Sequence, residues 1–269
     1  MNAQLAAPAC PGFRHLEEVW GTVVTVDVRD VDGSLPAPEA VEAALAEAGA
    51  FMARVDRVFS TYRPDSLVSA YRAGDLPVIP VSGFGSFSDD DVAWFRHILA
   101  LCEQGREVTE GAFDPWAVDG GFDPSGVVKG WAAEAVADLL VERGLRNVCV
   151  NAAGDLTVRG LADVGTPWVV GVPHPEDRHS IVHSFPLDGG SAATSGLSEK
   201  GEHIVLPGGR WPGYGARQAT VSGPDAAWCE ILSTGLMVAG RYGLDWFAQL
   251  PGYQAFCVDA TEDRVFRLG

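Results

Sequence analysis

A carboxylate and a hydroxyl four residues apart on one helix can meet on a single metal ion, and Glu230 and Thr234 have that spacing in the run Glu230-Ile231-Leu232-Ser233-Thr234. Residues i and i+4 share a helix face. Two hard oxygens on one face suit Mg2+, which takes few protein ligands and completes its shell with water and substrate phosphates. A second candidate is Asp123-Pro124-Ser125-Gly126-Val127-Val128-Lys129-Gly130. A loop running into a helix offers unpaired N–H groups and a positive dipole end, which suit a phosphate, and Lys129 adds a point charge. The spacing is neither that of a Walker loop nor that of a dinucleotide-binding glycine fingerprint. The third is the turn Asn151-Ala152-Ala153-Gly154-Asp155, which sets Asp155 at a strand end where it can accept hydrogen bonds from a ribose or a base. The fourth is Thr194-Ser195-Gly196 with His203-Ile204 after it, where His203 is a candidate acid or base.

Each of these has a plain structural reading when taken alone: a helix start, a β-turn whose aspartate bonds its own backbone, a solvated helix face, a loop histidine. The other five histidines show no metal-ligand spacing.

The elements that must position these residues can be read from periodicity. Gly21 to Val28 alternates as a half-buried strand. Pro38 to Val58 has a helical period through Val41, Leu45, Ala48, Met52 and Val55, and Ser60 to Tyr71 then reads as a polar loop. Asp89 to Cys102 is a second helix with acids in its first turn. Thr109 to Lys129 is rich in glycine and proline and reads as loop, followed by a helix over Gly130 to Arg143 that stops at Gly144. Strands are expected at Asn147 to Val150, Leu156 to Val158, Trp168 to Val172 and Gln254 to Val258, with a last helix at Ala226 to Ala239. Residues 205–216 are glycine-rich and read as a surface loop. The helices and strands lack a regular βαβ rhythm, so the fold class expected is α+β (mixed α/β), in one compact two-lobed unit.

Composition narrows the function. The 269 residues are 47% hydrophobic and carry a formal charge of −17, which argues against a nucleic-acid or anionic-membrane binder. No apolar run of about 18 residues is present, so no membrane span is expected. Residues 1–7 lack the basic and apolar regions of a secretory signal, and a cytoplasmic location is the expectation. The five cysteines are odd in number, widely spaced and without a C-x-x-C pair, which supports neither a disulfide framework nor a zinc site. Cys149 and Cys257 read as buried strand residues.

Taken in order, the motifs resemble the FAD:protein FMN transferase family. Trp20-Gly21-Thr22 is similar to its M-G-T, and Phe59-Ser60-Thr61-Tyr62 through Ser66 to its F-S-x-[FY]…S segment. Thr109-Glu110-Gly111-Ala112-Phe113-Asp114-Pro115 matches T-x-G-A-F-D-P. Residues Asp123 to Gly130 are similar to D-L-G-G-I-A-K-G, and Asn151 to Asp155 to N-x-G-G-D. Thr194-Ser195-Gly196 with His203-Ile204 resembles T-S-G…H-I, and Ala227 to Gly240 resembles A-D-A-L-A-T-A-L-x-V-x-G. The likeness runs from about residue 20 to the end.

The resemblance implies a flavin-transferase-like domain over 20–269 behind an N-terminal extension, 1–19, without fixed structure. It implies Mg2+-dependent transfer of FMN from FAD to a threonine or serine of an acceptor protein, with release of AMP. Glu230, Thr234 and a backbone carbonyl near Val128 would hold the metal. His203 and Lys129 would be catalytic, and Thr22, Asp114, Asp123, Lys129, Asp155, Thr194, Ser195 and Gly196 would contact FAD. FAD hydrolysis and a flavin-binding module without turnover are the alternatives. The chain departs from the family pattern at Glu230 (aspartate in the family), Ala153 (glycine), Val128 (a small residue), Arg72 (asparagine) and Leu206 (aspartate).

Overall fold

The structure, a computed structural model, describes residues 10–76, 82–177, 179–196, 204–261 and 265–268. Its frame is an eight-stranded antiparallel sheet. In spatial order the strands are β1 (Gly12–Val19), β2 (Thr22–Arg29), β3 (Val148–Ala152), β4 (Asp155–Arg159), β7 (Gly190–Gly196), β8 (Ala216–Gly223), β9 (Gln254–Asp259) and β10 (Val265–Leu268). A separate hairpin, β5 (Trp168–Pro173) and β6 (Ile181–Leu187), covers part of one face. The helices are α1 (Pro38–Phe59), α2 (Leu67–Ala73), α3 (Asp89–Val108), α4 (Ser125–Glu142) and α5 (Ala226–Ala239), with a 3-10 helix at Gly240–Gln249. The α+β expectation holds.

The two faces of the sheet are buried by different means. On one, α4 brings the small residues Ala133 and Ala137 with Val136 and Leu140 down onto Val24, Val26, Val148 and Val150, and α1 packs behind with Ala44, Ala48 and Met52. Beside α4, α5 lays Leu232 and Leu236 on Ala219, Val221 and Cys257. On the other, the hairpin sets Trp168, Val172, Phe185 and Leu187 against Cys149, Val158, Ala192 and Phe256. Each valine, leucine, phenylalanine or methionine side chain taken out of water here contributes roughly 1.5–3 kcal/mol, which is why the central strands need no alternation to be stable. Burial raises the Cys149 thiol to about 12, leaving it an inert strand residue.

Several boundaries differ from expectation. Residues 12–19 are not outside the domain: β1 pairs with β2 along its whole length, joined by a hairpin turn in which Trp20 and Gly21 both have positive φ. The polar stretch 60–71 is not all loop, because Ser66 caps Ser69 N–H and lets Leu67 and Val68 enter the core as α2. α3 runs six residues past Cys102, started by a reciprocal Ser88–Asp91 capping box. α4 begins at Ser125, five residues before the expected start, with non-helical dihedrals at Gly126. Its end matches expectation. Gly144, at φ 94, donates to Val141 O, and Leu145 donates to Leu140 O, the two bonds of a Schellman stop.

Candidate functional site

The elements that carry the chemistry meet at one end of the sheet. Ala153 and Gly154 form the β3–β4 turn with φ of 58 and 108, and Asn151 Oδ1 accepts the Gly154 N–H at 2.9 Å. That turn delivers Asp155 as the first residue of β4, buried and pointing toward α4. α4 and α5 lie side by side above it. Their close approach depends on Gly130, where a Cβ would stand 2.5 Å from Ala226 O.

Lys129 is the junction. Its Nζ donates to Asp155 Oδ2 and to Glu230 Oε1, tying β4, α4 and α5 together. The second oxygen of Glu230 accepts the Gly130 N–H at 2.9 Å. Asp155 and Glu230 are only 6% and 3% exposed, so one ammonium faces two buried carboxylates. Burial works against the charge on Lys129, but the two carboxylates outweigh it and its pKa is raised. Burial also pushes Glu230 up to about 8; Asp155 adds to that rise, while Lys129 and the Gly130 N–H oppose it. The cluster is short of positive charge.

One turn along α5, three hydroxyls gather. Ser195 Oγ on β7 lies 3.0 Å from Ser233 Oγ and 3.3 Å from Thr234 Oγ1, and Ser233 Oγ donates to Glu230 O at 3.1 Å. Ser233 is fully buried and Thr234 half-buried. The donor set beside the charge-deficient cluster is therefore all oxygen, the chemistry that a hard cation such as Mg2+ takes and softer metals do not. These residues fit such an ion.

The structure thus brings Lys129, Asp155, Ser195, Glu230 and Thr234 together. The other expected residues stand differently. Thr194 has its hydroxyl 3.0 Å from Thr220 Oγ1, across the strand pair, because side chains alternate along β7 and Ser195 takes the α5 face. Gly196 ends β7 and Thr22 begins β2; neither has a side-chain hydrogen bond among the described residues. Asp114 is held by Arg106 Nε at 3.1 Å and accepts Trp116 N–H at 3.0 Å, so it shapes the loop. Asp123 accepts the Ser125 N–H at 2.9 Å, which closes the start of α4. Val128 is buried among the helices, and its N–H bonds Pro124 O at 3.0 Å.

His203 lies outside the described residues. Lys129 lies inside α4, past its first turn, and the next N–H, that of Gly130, is taken by Glu230. Sequence reasoning missed Ser233, whose signal was its place three residues after Glu230.

The chain as a whole is similar to known proteins. The model of the ApbE family matches residues 119–257. The chain is 29% identical over 146 residues to the FAD:protein FMN transferase of Salmonella typhimurium, covering 51% of this chain and 42% of that protein. It is 31% identical over 129 residues to the one of Vibrio cholerae, covering 44% and 39%. The aligned stretch spans less than half the length of these curated relatives. The crystal structure of Pseudomonas stutzeri flavinyl transferase ApbE in its apo form superposes with a TM-score of 0.74 at 23% identity, over 96% of this chain and 94% of that one, a likeness of fold.

Proposed function

The chain belongs to the ApbE family, and from that premise we propose that it transfers FMN from FAD to a threonine or serine hydroxyl of an acceptor protein, releasing AMP. The observation that carries the reading is Lys129 bound to both Asp155 and Glu230 beside the Thr234 hydroxyl. Three separate elements, β4, α4 and α5, converge there, and phosphoryl-type transfer asks for positioning and charge neutralisation above all.

In the proposed reaction the acceptor oxygen bonds to the phosphorus of the FMN half. The bond from that phosphorus to the AMP phosphate oxygen breaks, and its electron pair leaves with AMP. The acceptor proton goes to a base, for which His203 is the candidate. Lys129 is held cationic by its two carboxylates and faces the pyrophosphate as a fixed charge, with no reorganisation needed when the bond breaks. Asp155 positions Lys129 while Ser195, Thr194, Gly196 and Thr22 line the same end of the sheet for the nucleotide. Asp114 and Asp123 act through the loops they hold. Glu230, Thr234 and the Val128 backbone carbonyl would hold Mg2+. When bound, the ion supplies positive charge to the pyrophosphate oxygens.

The test is incubation with FAD and Mg2+, with and without a domain bearing an acceptor threonine, read by intact mass and by chromatography of AMP. A gain of one FMN on the acceptor, abolished by EDTA and by Glu230→Ala, is expected. Retained FAD with neither mass gain nor AMP, using an acceptor that another family member modifies, overturns the reading in favour of binding alone. AMP released without acceptor modification overturns it in favour of hydrolysis.

A further inference from the structure

The hydroxyls at the end of α5 have a fixed order of donation. Ser233 Oγ lies 3.1 Å from Glu230 O, and a carbonyl can only accept, so the single Ser233 proton is spent there. The 3.0 Å contact between Ser233 and Ser195 must then be donated by Ser195. That spends the Ser195 proton, so the 3.3 Å contact with Thr234 must be donated by Thr234. The Thr234 proton is thereby turned toward β7. What Thr234 has left to offer the site is lone pairs alone.

We propose that Ser195 and Ser233 are positioning residues that set Thr234 as a lone-pair ligand for a hard divalent cation, through a relay running Thr234 to Ser195 to Ser233 to the Glu230 carbonyl. The proposal rests on the metal reading given above. It makes Ser233 act on a ligand it does not itself touch. It also explains why a serine is tolerated in a fully buried position on the helix: both of its hydrogen-bonding roles are filled. A threonine free to rotate would present its proton to the cation in part of its population, and the relay removes those orientations.

The experiment is titration of the full chain with Mn2+ alone, followed by electron paramagnetic resonance of the free ion, with FAD binding in EDTA measured in parallel. Thr234→Val should weaken Mn2+ binding most. Ser195→Ala and Ser233→Ala should each weaken it by about 10-fold, the effect typical of groups that orient a metal ligand. Ser195→Thr keeps the hydroxyl and should bind as the parent does. The double variant Ser195→Ala/Ser233→Ala should be no weaker than Ser195→Ala, because Ser233 acts only through Ser195. FAD affinity in EDTA should stay constant in Ser233→Ala, a result that loss of packing would not give. If Ser195→Ala and Ser233→Ala bind Mn2+ like the parent while Thr234→Val does not, the relay is overturned and the metal reading stands. A parent chain that binds no Mn2+ overturns both.

Discussion

Two buried acid clusters in this molecule use similar ingredients to opposite ends. Between α1 and α3, Asp91 is met by Arg54 Nε at 2.7 Å and Arg57 Nη2 at 2.8 Å, and Ser88 adds a backbone N–H at 2.9 Å and a hydroxyl. Two cations serve one carboxylate. Burial pushes that carboxyl up, but the Ser88 N–H, Arg54 and the Ser88 hydroxyl outweigh burial and its pKa is lowered. Between β4, α4 and α5, two carboxylates share one ammonium, and Glu230 is raised to about 8. The cluster between α1 and α3 holds more positive charge than its one buried acid needs. The Lys129 cluster leaves one carboxylate without a cation, and that shortage of positive charge marks it as the one proposed to receive a divalent ion.

The sharpest way to break the comparison is to remove the shared ammonium. Lys129→Met leaves Asp155 and Glu230 buried without a cation. It should lower FMN transfer by about 100-fold or more, the scale seen when one preorganised charge-stabilising donor is lost. It should also cost about 3 kcal/mol of stability from the unpaired buried charge. Transfer at the parental rate in a folded Lys129→Met protein would remove Lys129 from the mechanism.

The Asp91 cluster should behave in the reverse manner. Asp91→Asn should cost about 2 kcal/mol, because Arg54 and Arg57 are about one-third exposed and recover water, and it should leave FMN transfer unchanged. The pH dependence has a definite sign. The folded pKa lies below the ordinary 3.8, so the native state binds the proton less tightly than the unfolded chain does. The stabilisation is complete above the unfolded value and is lost as pH falls through the folded one. Urea titrations of both proteins at neutral pH and below about pH 4 should show the deficit of Asp91→Asn shrinking in acid. A deficit that persists unchanged in acid would assign it to shape and not to charge.

How far the sequence reveals these two clusters follows from what each needs. α1 is legible because Val41, Leu45, Ala48, Met52 and Val55 keep a helical period, and α5 because it is mostly apolar behind an Asp225 cap on the Trp228 N–H. β7, with the sequence Gly-Ser-Ala-Ala-Thr-Ser-Gly, has no alternation to read. Small residues suffice there because α5 and the β5–β6 hairpin cover its neighbours from both sides. β8 was masked in the same way, its residues Gln218 to Ser222 being buried regardless of polarity. The site residues were legible one at a time through their motifs. Their connection was not, because Lys129 and Glu230 are 101 positions apart and only the packing of α4 on α5 through Gly130 joins them.

The smallest effect concerns where the backbone is strained. Among the described residues only Trp20, Glu110 and Ala153 have positive φ without being glycine, and all three lie in motif segments, none in the Asp91 cluster. Ala153 is the most telling, since its φ of 58 sits in the turn that delivers Asp155 to Lys129. The left-handed region costs a residue with a Cβ roughly 1–2 kcal/mol. Glycine removes that strain but adds freedom to the unfolded chain worth roughly 0.4–1 kcal/mol. Ala153→Gly should therefore stabilise the protein by about 0.5 kcal/mol. Ala153 is exposed, so no packing is lost, and the Gly154 N–H keeps its bond to Asn151. The check is a small rise in urea midpoint with an unchanged slope. A fall in midpoint would mean that the Ala153 methyl has a packing role, and that the turn holds Asp155 without stored strain.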